Sequence, residues 1–214
     1  VSSSLLLNAC IDLLDQPLIP IDHHSEFNVL FGEWHSTKKN DISETLKIHK
    51  NKEKNTIAIE STINNKTNYS TAVVYSIKNH FILSLDIKDI KTKERESINN
   101  DVSAYAIVGI THKDGSLYIS RPNTKSLFSL YPKLRANASP KPICTKNKNK
   151  DQNLLCLFST DRELYITPIN KTEITEISES NFEKIFNIDE AETYQKIESQ
   201  EEKFKNNTVE NQHP

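Results

Sequence analysis

Several features that common kinds of site require are scarce in this chain of 214 residues. It has only 3 glycines, which excludes the glycine-rich loops that bind phosphates and the Gly-x-Ser-x-Gly turn of serine hydrolases. Its formal net charge is -2, so it lacks the basic excess typical of proteins that bind nucleic acid. No apolar run approaches the roughly 18 residues of a membrane-spanning helix. We therefore expect no nucleic-acid partner and no transmembrane helix.

A β-hairpin that turns at residues 114–115 is the clearest structural signal in the sequence. An Asp-Gly pair between alternating apolar residues is typical of a two-residue hairpin turn. Pairing Lys113 with Ser116 gives a register in which one face is apolar. That face consists of Val108, Ile110, Leu117 and Ile119. Gly109 interrupts the first strand and predicts a bend or bulge, which Tyr118 would cover from the neighbouring strand.

Other segments of alternating polarity predict further short strands, with no long helix between them. They lie at 42–50, 56–62, 71–77, 81–87, 154–158 and 164–167. The last two are predicted to form a second hairpin, and LYIT at 164–167 repeats the LYIS pattern at 117–120. The fold class is therefore predicted to be mainly β, an antiparallel up-and-down meander.

One short helix is predicted near the C-terminus, at 180–187. Ser180 and Glu183 have the spacing of a capping box. Phe182, Ile185 and Phe186 would share one helix face, which predicts that this helix plugs or covers the sheet.

The Gly-x-Trp at 32–34, at the start of the first strand and followed by short strands in regular order, resembles the first motif of the lipocalins and their calycin relatives. FGEW at 31–34 opens the first strand, HFILSLDI occupies 80–87, and YAIVGITHKDGSLYIS occupies 105–120. Their order also resembles a loose group of uncharacterised bacterial lipoproteins with lipocalin-like sheets. The resemblance implies a lipocalin-like barrel or half-barrel in which Trp34 closes one end.

The N-terminal residues VSSSLLLNAC resemble the lipobox of bacterial lipoproteins, in which Cys10 receives the lipid. This resemblance implies a lipid-anchored protein of the bacterial cell envelope, at the outer membrane and facing the periplasm or the surface. An amphipathic N-terminal helix is the alternative. We expect a truncated signal, lipobox and linker over 1–26, a β domain over 27–198 and a disordered tail over 199–214.

Cys144 and Cys156 are the two cysteines that remain when Cys10 is set aside. They flank a polar loop, and a hairpin would bring them face to face. A disulfide between them would suit an oxidising compartment. Two free cysteines, one of them a small core residue, are the alternative.

The sequence favours a binding protein over an enzyme. We expect a small apolar ligand between the curved sheet and the 180–187 helix, with Trp34, Tyr105 and Tyr118 as wall residues. The alternative is a protein-interaction lipoprotein, an inhibitor or assembly factor with a filled core, whose partner is another envelope protein. We expect no catalytic residues, no metal and no cofactor, because neither histidine nor cysteine spacing matches a ligand set.

Overall fold

A computed structural model describes most of the predicted β domain. The described residues are 12–18, 26–37, 44–53, 55–86, 104–134, 141–142, 144–146, 154–156, 158–159, 162–163, 165–170 and 176–197. Cys10, the segment 1–11 and the predicted tail 199–214 lie outside them, so the predictions made for those residues stay predictions.

Fifteen strands and two α-helices make up the regular structure of the described residues. The strands are β1 (Asp12–Leu14), β2 (Gly32–Ser36), β3 (Glu44–Lys50), β4 (Thr56–Ile63), β5 (Lys66–Ile77), β6 (His80–Asp86), β7 (Tyr105–Lys113), β8 (Ser116–Ser120), β9 (Lys141–Pro142), β10 (Cys144–Lys146), β11 (Leu154–Cys156), β12 (Phe158–Ser159), β13 (Arg162–Glu163), β14 (Tyr165–Thr167) and β15 (Glu192–Lys196). The helices are α1 (Thr124–Leu130) and α2 (Glu179–Ile185), and short 3-10 helices are Asn28–Leu30, Pro132–Leu134 and Ile188–Glu190. None of the described helices is long and apolar enough to cross a membrane.

Strands β2 to β8 and β15 close into an antiparallel barrel of 8 strands. Each strand of β2 to β8 pairs with the next one along the chain, β6 pairs with β7 in full, and β15 pairs with both β8 and β2. This confirms the prediction of a mainly β, up-and-down antiparallel fold and shows a closed barrel. Both helices are short, and α1 was not predicted.

The predicted hairpin register is confirmed. Lys113 lies opposite Ser116, and Ile110 lies opposite Ile119. Alternation places every second side chain of each strand inside the barrel, where the aliphatic residues form one core cluster with Trp34 and Tyr194. The two-residue turns suit residues that adopt positive φ, and Lys78, Asp114 and Gly115 do so at 53°, 51° and 71°.

The two ends of the barrel differ in their connections. We call the end where β2 begins the tryptophan end, and the end where β2 finishes and β3 begins the glutamate end. The tryptophan end has short connections between consecutive strands, at 51–55, 78–79 and 114–115. The glutamate end carries one two-residue turn, 64–65, and the longer connections 37–43 and 87–104. In such barrels, ligands enter at the mouth and loops carry the binding residues.

Helix α2 packs on the outside of the barrel. Ser178 caps it by accepting a hydrogen bond from the Asn181 N–H, so the predicted capping box of Ser180 and Glu183 is wrong. The predicted apolar face is confirmed, because Phe182, Ile185 and Phe186 are all buried. They belong to a second apolar cluster, the outer layer, with residues of the outer barrel wall and of the N-terminal segment. Its members are Leu14, Leu18, Tyr75, Ile82, Ile107, Leu127, Leu134, Ile169, Ile177, Phe182, Ile185 and Phe186.

Gly109 is the position where α2 meets the wall most closely. It pairs regularly with Ser120, so the predicted bend or bulge is absent at this position. Phe186, and not Tyr118, covers the glycine. A Cβ atom at Gly109 would lie 2.4 Å from the Phe186 ring. The glycine is therefore required by the aromatic ring that packs against it.

Residues 12–18 belong to the fold, whereas we expected linker there. Strand β1 pairs in parallel with β14 and touches β7 at Tyr105. Leu13 joins the lumen cluster, while Leu14 and Leu18 join the outer layer. The burial of these leucines fixes the segment against the barrel.

The later strands pair differently from the predicted second hairpin. Strand β12 pairs with β13, but β14 pairs with β1 and β9, so LYIT at 164–167 is not the counterpart of LYIS at 117–120. The cysteine hairpin does form in the backbone, because Cys144 of β10 lies directly opposite Cys156 of β11. Directly opposed residues have Cα atoms about 4.5 to 5.5 Å apart, within the range that a disulfide spans.

Candidate functional site

Three polar side chains lie inside the barrel at its glutamate end. Glu44 is 7% exposed, Ser61 is 1% exposed and Tyr194 is 0% exposed. Glu44 is in phase with Leu46 and Ile48 on β3, and Ser61 is in phase with Ile59 and Ile63 on β4. Tyr194 lies opposite the inward residue Leu117 of β8. Polar groups at inward positions cost free energy unless they are matched by partners, so this cluster requires an explanation.

The strand register explains why these side chains meet. Tyr194 lies opposite Ser36 on β2. His35 lies opposite Thr45, so Ser36 is in turn the neighbour of Glu44. Glu44 lies opposite Ile63 on β4, and Ser61 is two residues from Ile63 on the same face. Diagonal neighbours of this kind are about 7 to 8 Å apart at their Cα atoms. The three side chains, with Ser36 between Tyr194 and Glu44, therefore occupy one row of inward positions across β15, β2, β3 and β4, which we call the polar row.

Two hydroxyl groups of this row lack a well-formed hydrogen bond. Among the residues that the structure describes, the buried Ser61 Oγ has no partner, and the buried Tyr194 hydroxyl has only the Glu44 carboxyl group beside it, without the geometry of a full hydrogen bond. A buried polar group without a partner costs about 1–3 kcal/mol. Such groups are infrequent in folded proteins, and a ligand or an ordered water normally accounts for them. Both hydroxyls thus point to an occupant of the lumen.

The electrostatics of the row are acidic. Burial raises the pKa of the Tyr194 hydroxyl well above its ordinary range, and the negative charges of Glu44 and Glu192, together with hydrogen bonding toward the Glu44 side chain, raise the pKa further. Tyr194 is therefore neutral across the physiological range and can both donate and accept a hydrogen bond. The result is a carboxylate with neutral hydroxyls in an apolar lumen, where charges interact more strongly than in water.

Several inward positions of the barrel wall carry small side chains. Ser61 on β4, Ser70 and Ala72 on β5, Ala106 on β7 and Ala104 just before β7 are all buried. An eight-stranded barrel is just wide enough to be filled by side chains or to hold one small ligand. Alanine and serine at these positions favour the second arrangement.

The tryptophan end is closed by protein groups. Trp34 is 1% exposed, and its Nε1–H donates a hydrogen bond of 3.0 Å to the carbonyl oxygen of Leu30 in the 3-10 helix before β2. The His112 ring packs edge-on at 6.4 Å, and Lys196 Nζ lies 5.9 Å from the centre of the indole ring. This agrees with the implied position of Trp34 at a barrel end.

The three predicted wall residues do not come together. Trp34 faces the lumen, whereas Tyr105 and Tyr118 are half-buried and alternate with the inward residues of β7 and β8. The space between the barrel wall and α2 is occupied by the rings of Phe182 and Phe186, whose centroids lie 4.7 Å apart. The predicted ligand position between sheet and helix is therefore filled, and the lumen is the better candidate.

An acid, a histidine and a hydroxyl also line up outside the barrel. His80 Nδ1 shares a hydrogen bond of 2.9 Å with Thr111 Oγ1, and its Nε2 lies 3.6 Å from the Glu179 carboxylate. The ring of Phe182 stacks on His80 at 4.6 Å, and Lys78 bonds the same carboxylate. These contacts attach α2 to the barrel. Thr111 is only 6% exposed, so a substrate has no access to its hydroxyl.

Within the described ranges, no group of three or more histidine, cysteine, aspartate or glutamate side chains is placed to hold a metal ion. The polar row combines a single carboxylate with two hydroxyls, a set suited to hydrogen bonding.

Sequence reasoning missed Glu44, Ser61 and Tyr194 as site residues. The sequence signal for these residues is their position in the alternation of inward and outward side chains along each strand. Ser61 falls in step with Ile57, Ile59 and Ile63, so a polar residue interrupts an otherwise apolar face. Tyr194 gave less signal, because β15 reads ETYQK and has one apolar residue.

The chain matches no protein-family model, no curated protein and no solved structure.

Proposed function

We propose that this protein is a lipid-anchored bacterial envelope protein whose barrel binds a small, mainly apolar ligand in its lumen. The ligand's apolar part lies among the aliphatic residues of the lumen cluster, and its polar group lies at the glutamate end. The protein acts as a binding module and not as an enzyme. This proposal combines the sequence resemblances with the geometry of the barrel.

One observation carries the binding proposal: Ser61 presents a buried hydroxyl without a partner, and the buried Tyr194 hydroxyl beside Glu44 has no well-formed hydrogen bond, in an otherwise apolar lumen. A protein with a merely filled core gains stability when such groups are replaced by apolar ones. Their presence supports a ligand that completes their hydrogen bonds.

The anchoring proposal is supported by the N-terminal sequence and by the position of β1. Strand β1 starts at Asp12, two residues after Cys10, and two residues of chain span at most about 7 Å. A lipid on Cys10 would therefore hold the barrel close to the membrane surface.

Binding of N-phenyl-1-naphthylamine, an uncharged apolar fluorophore, tests the lumen as the binding site. Trp34 is the only tryptophan and lies in the barrel, so we expect energy transfer from Trp34 to the bound probe. Ala72→Leu enlarges an inward side chain and should weaken binding at least tenfold. Ala58→Leu makes the same change on the outward face of β4 and serves as the matched control.

Far-UV circular dichroism would establish that both variants fold, and Ala72→Val provides a smaller change if Ala72→Leu does not. Failure of the probe to bind, or equal binding by the Ala72 and Ala58 variants, would contradict lumen binding. That outcome would favour the alternative, a protein-interaction lipoprotein that binds another envelope protein through its outer surface.

Intact mass of the protein extracted from its native membrane tests the anchor. We expect added acyl mass on a chain that begins at Cys10, and loss of that mass with release from the membrane in Cys10→Ser. An unmodified cysteine in the membrane-extracted protein would overturn the anchoring proposal. The same mass would show whether Cys144 and Cys156 form a disulfide.

A further inference from the structure

We infer that the ligand carries a protonated amine, which Glu44 binds at the glutamate end with the help of the Ser61 and Tyr194 hydroxyls. This inference rests on the proposed binding function and specifies the chemical class of its ligand: an amphipathic cation with an apolar body.

The numbers of donors and acceptors agree with this class. An ammonium group has three N–H donors and no acceptor. The polar row offers a carboxylate and two hydroxyl oxygens as acceptors. The Ser61 hydroxyl has no partner among the described residues, and the Tyr194 hydroxyl, which faces Glu44, keeps its oxygen free to accept. One ammonium group could therefore donate to all three side chains, and each buried hydroxyl oxygen would gain a partner.

The charge of the site points the same way. Glu44 is buried, and Glu192 is close enough to Tyr194 for its charge to act on the same hydroxyl. A carboxylate or phosphate ligand would place a second negative charge beside Glu44 in a poorly screened lumen, which is unfavourable. A neutral alcohol has one O–H donor, so it could donate to only one of the three side chains, and it brings no positive charge to balance the Glu44 carboxylate.

The apolar body of the ligand would lie along the lumen toward the tryptophan end. Inward residues between the two ends are aliphatic, as Ile59 and Leu83 are, and both are buried. The tryptophan end is closed by Trp34 and Leu30, so a ligand would enter with its apolar part first. Its amine would then remain at the end with the longer connections.

Three probes with the same alkyl chain separate the possibilities: n-octylamine, 1-octanol and octanoate, titrated into the full chain by calorimetry at pH 7. Hydrogen bonds that involve a charged group contribute enough to change affinity by about tenfold to a hundredfold. We expect octylamine to bind at least tenfold more tightly than octanol, and octanoate to bind most weakly.

Glu44→Gln should remove the preference for octylamine, whereas Glu44→Asp, which keeps the charge, should retain most of it. Glu60→Gln is the matched control, because Glu60 is on the same barrel, adjacent to Ser61 in sequence and on the opposite face of β4. It removes one negative charge outside the lumen and should change the preference less than twofold.

The outcomes distinguish this inference from the proposed function. Equal or tighter binding of octanol or octanoate, or an octylamine preference unchanged in Glu44→Gln, would overturn the amine while leaving lumen binding in place. Binding of the uncharged fluorophore without any binding of the three probes would do the same. If neither the fluorophore nor the probes bind, both the inference and the lumen function fail.

Discussion

The lumen and the outer layer are both apolar clusters, but the buried hydroxyl groups in and beside them differ in their hydrogen bonding. In the outer layer, the Tyr75 hydroxyl accepts a hydrogen bond from the Ile177 N–H, and Ser84 Oγ accepts one from the Leu18 N–H. In the lumen, the hydroxyls of Ser61 and Tyr194 have no such partner among the described residues.

This difference separates a structural interface from a binding site. The outer layer is completed within the chain, since its rings pack closely and its hydroxyls are bonded. The lumen retains polar groups at a cost to stability, and folded proteins tolerate such a cost mainly where function requires it. The comparison can be tested by substitutions that act on one cluster at a time.

The largest effect is expected from Phe186→Ala in the outer layer. Phe186 is 1% exposed, and truncation of a buried phenylalanine costs about 3–5 kcal/mol in the free energy of unfolding. Urea denaturation measures this. Ile188→Ala is the control, because Ile188 is 40% exposed and should change stability by less than about 0.5 kcal/mol. Similar losses for both variants would show that the outer layer is not closely packed.

Gly109→Ala should cost about 1–3 kcal/mol, because the added methyl group would overlap the Phe186 ring. The double variant Gly109→Ala/Phe186→Leu should recover part of the loss relative to the sum of the two single changes, with a coupling of at least about 0.5 kcal/mol. Strict additivity in urea denaturation would mean that the glycine is not required by the ring.

Because the Tyr194 hydroxyl is buried, we expect the free energy of unfolding to depend on pH in the alkaline range. Below the pKa of about 10 for tyrosine in the unfolded chain, Tyr194 is protonated in both states and stability does not depend on it. Above that pH, the unfolded state loses the proton while the folded state keeps it, since burial raises the pKa. The free energy of unfolding should therefore fall by about 1.4 kcal/mol per pH unit from this residue.

Urea denaturation between pH 9 and pH 11 would measure that slope, and Tyr194→Phe should make it shallower. Tyr69→Phe is the control, because Tyr69 is 58% exposed and should leave the slope unchanged. Equal slopes for the wild-type chain and Tyr194→Phe would contradict the buried, neutral hydroxyl.

The smallest effect gives the sharpest contrast between the clusters. Ser61→Ala removes a buried hydroxyl without a partner, so we expect the free energy of unfolding to rise by about 1 kcal/mol. Ser84→Ala removes a hydroxyl that accepts from the Leu18 N–H, so we expect a loss of about 1 kcal/mol. Opposite signs in urea denaturation support the comparison, and a loss of stability in Ser61→Ala would contradict it.

Local signals in the sequence were enough to predict most of the barrel. The register at Ile110 and Ile119 followed from the turn chemistry and from the alternation of apolar residues. Strand β15 was missed because its only apolar residue is Tyr194. It pairs with the free edges of β2 and β8. These edges come together only in the folded barrel, so the local sequence does not reveal the strand.

The site was harder to predict than the fold. Glu44 and Tyr194 are 150 positions apart in the numbering, and only barrel closure through β15 brings their strands to either side of β2. The three predicted wall residues were chosen as aromatic side chains in a strand pattern, but the pattern itself places Trp34 inside and Tyr118 outside. Tracking the phase of polar residues would have served better than selecting aromatic ones.

The most direct test of the central claim, that the lumen and not the outer layer receives the ligand, is an NMR titration of the ¹⁵N-labelled chain with n-octylamine. We predict that amide shift changes concentrate at Glu44, Ser61 and Tyr194 and that Tyr118 and Phe186 change little. Changes confined to Tyr118, Phe186 and their neighbours in the outer layer would contradict the account.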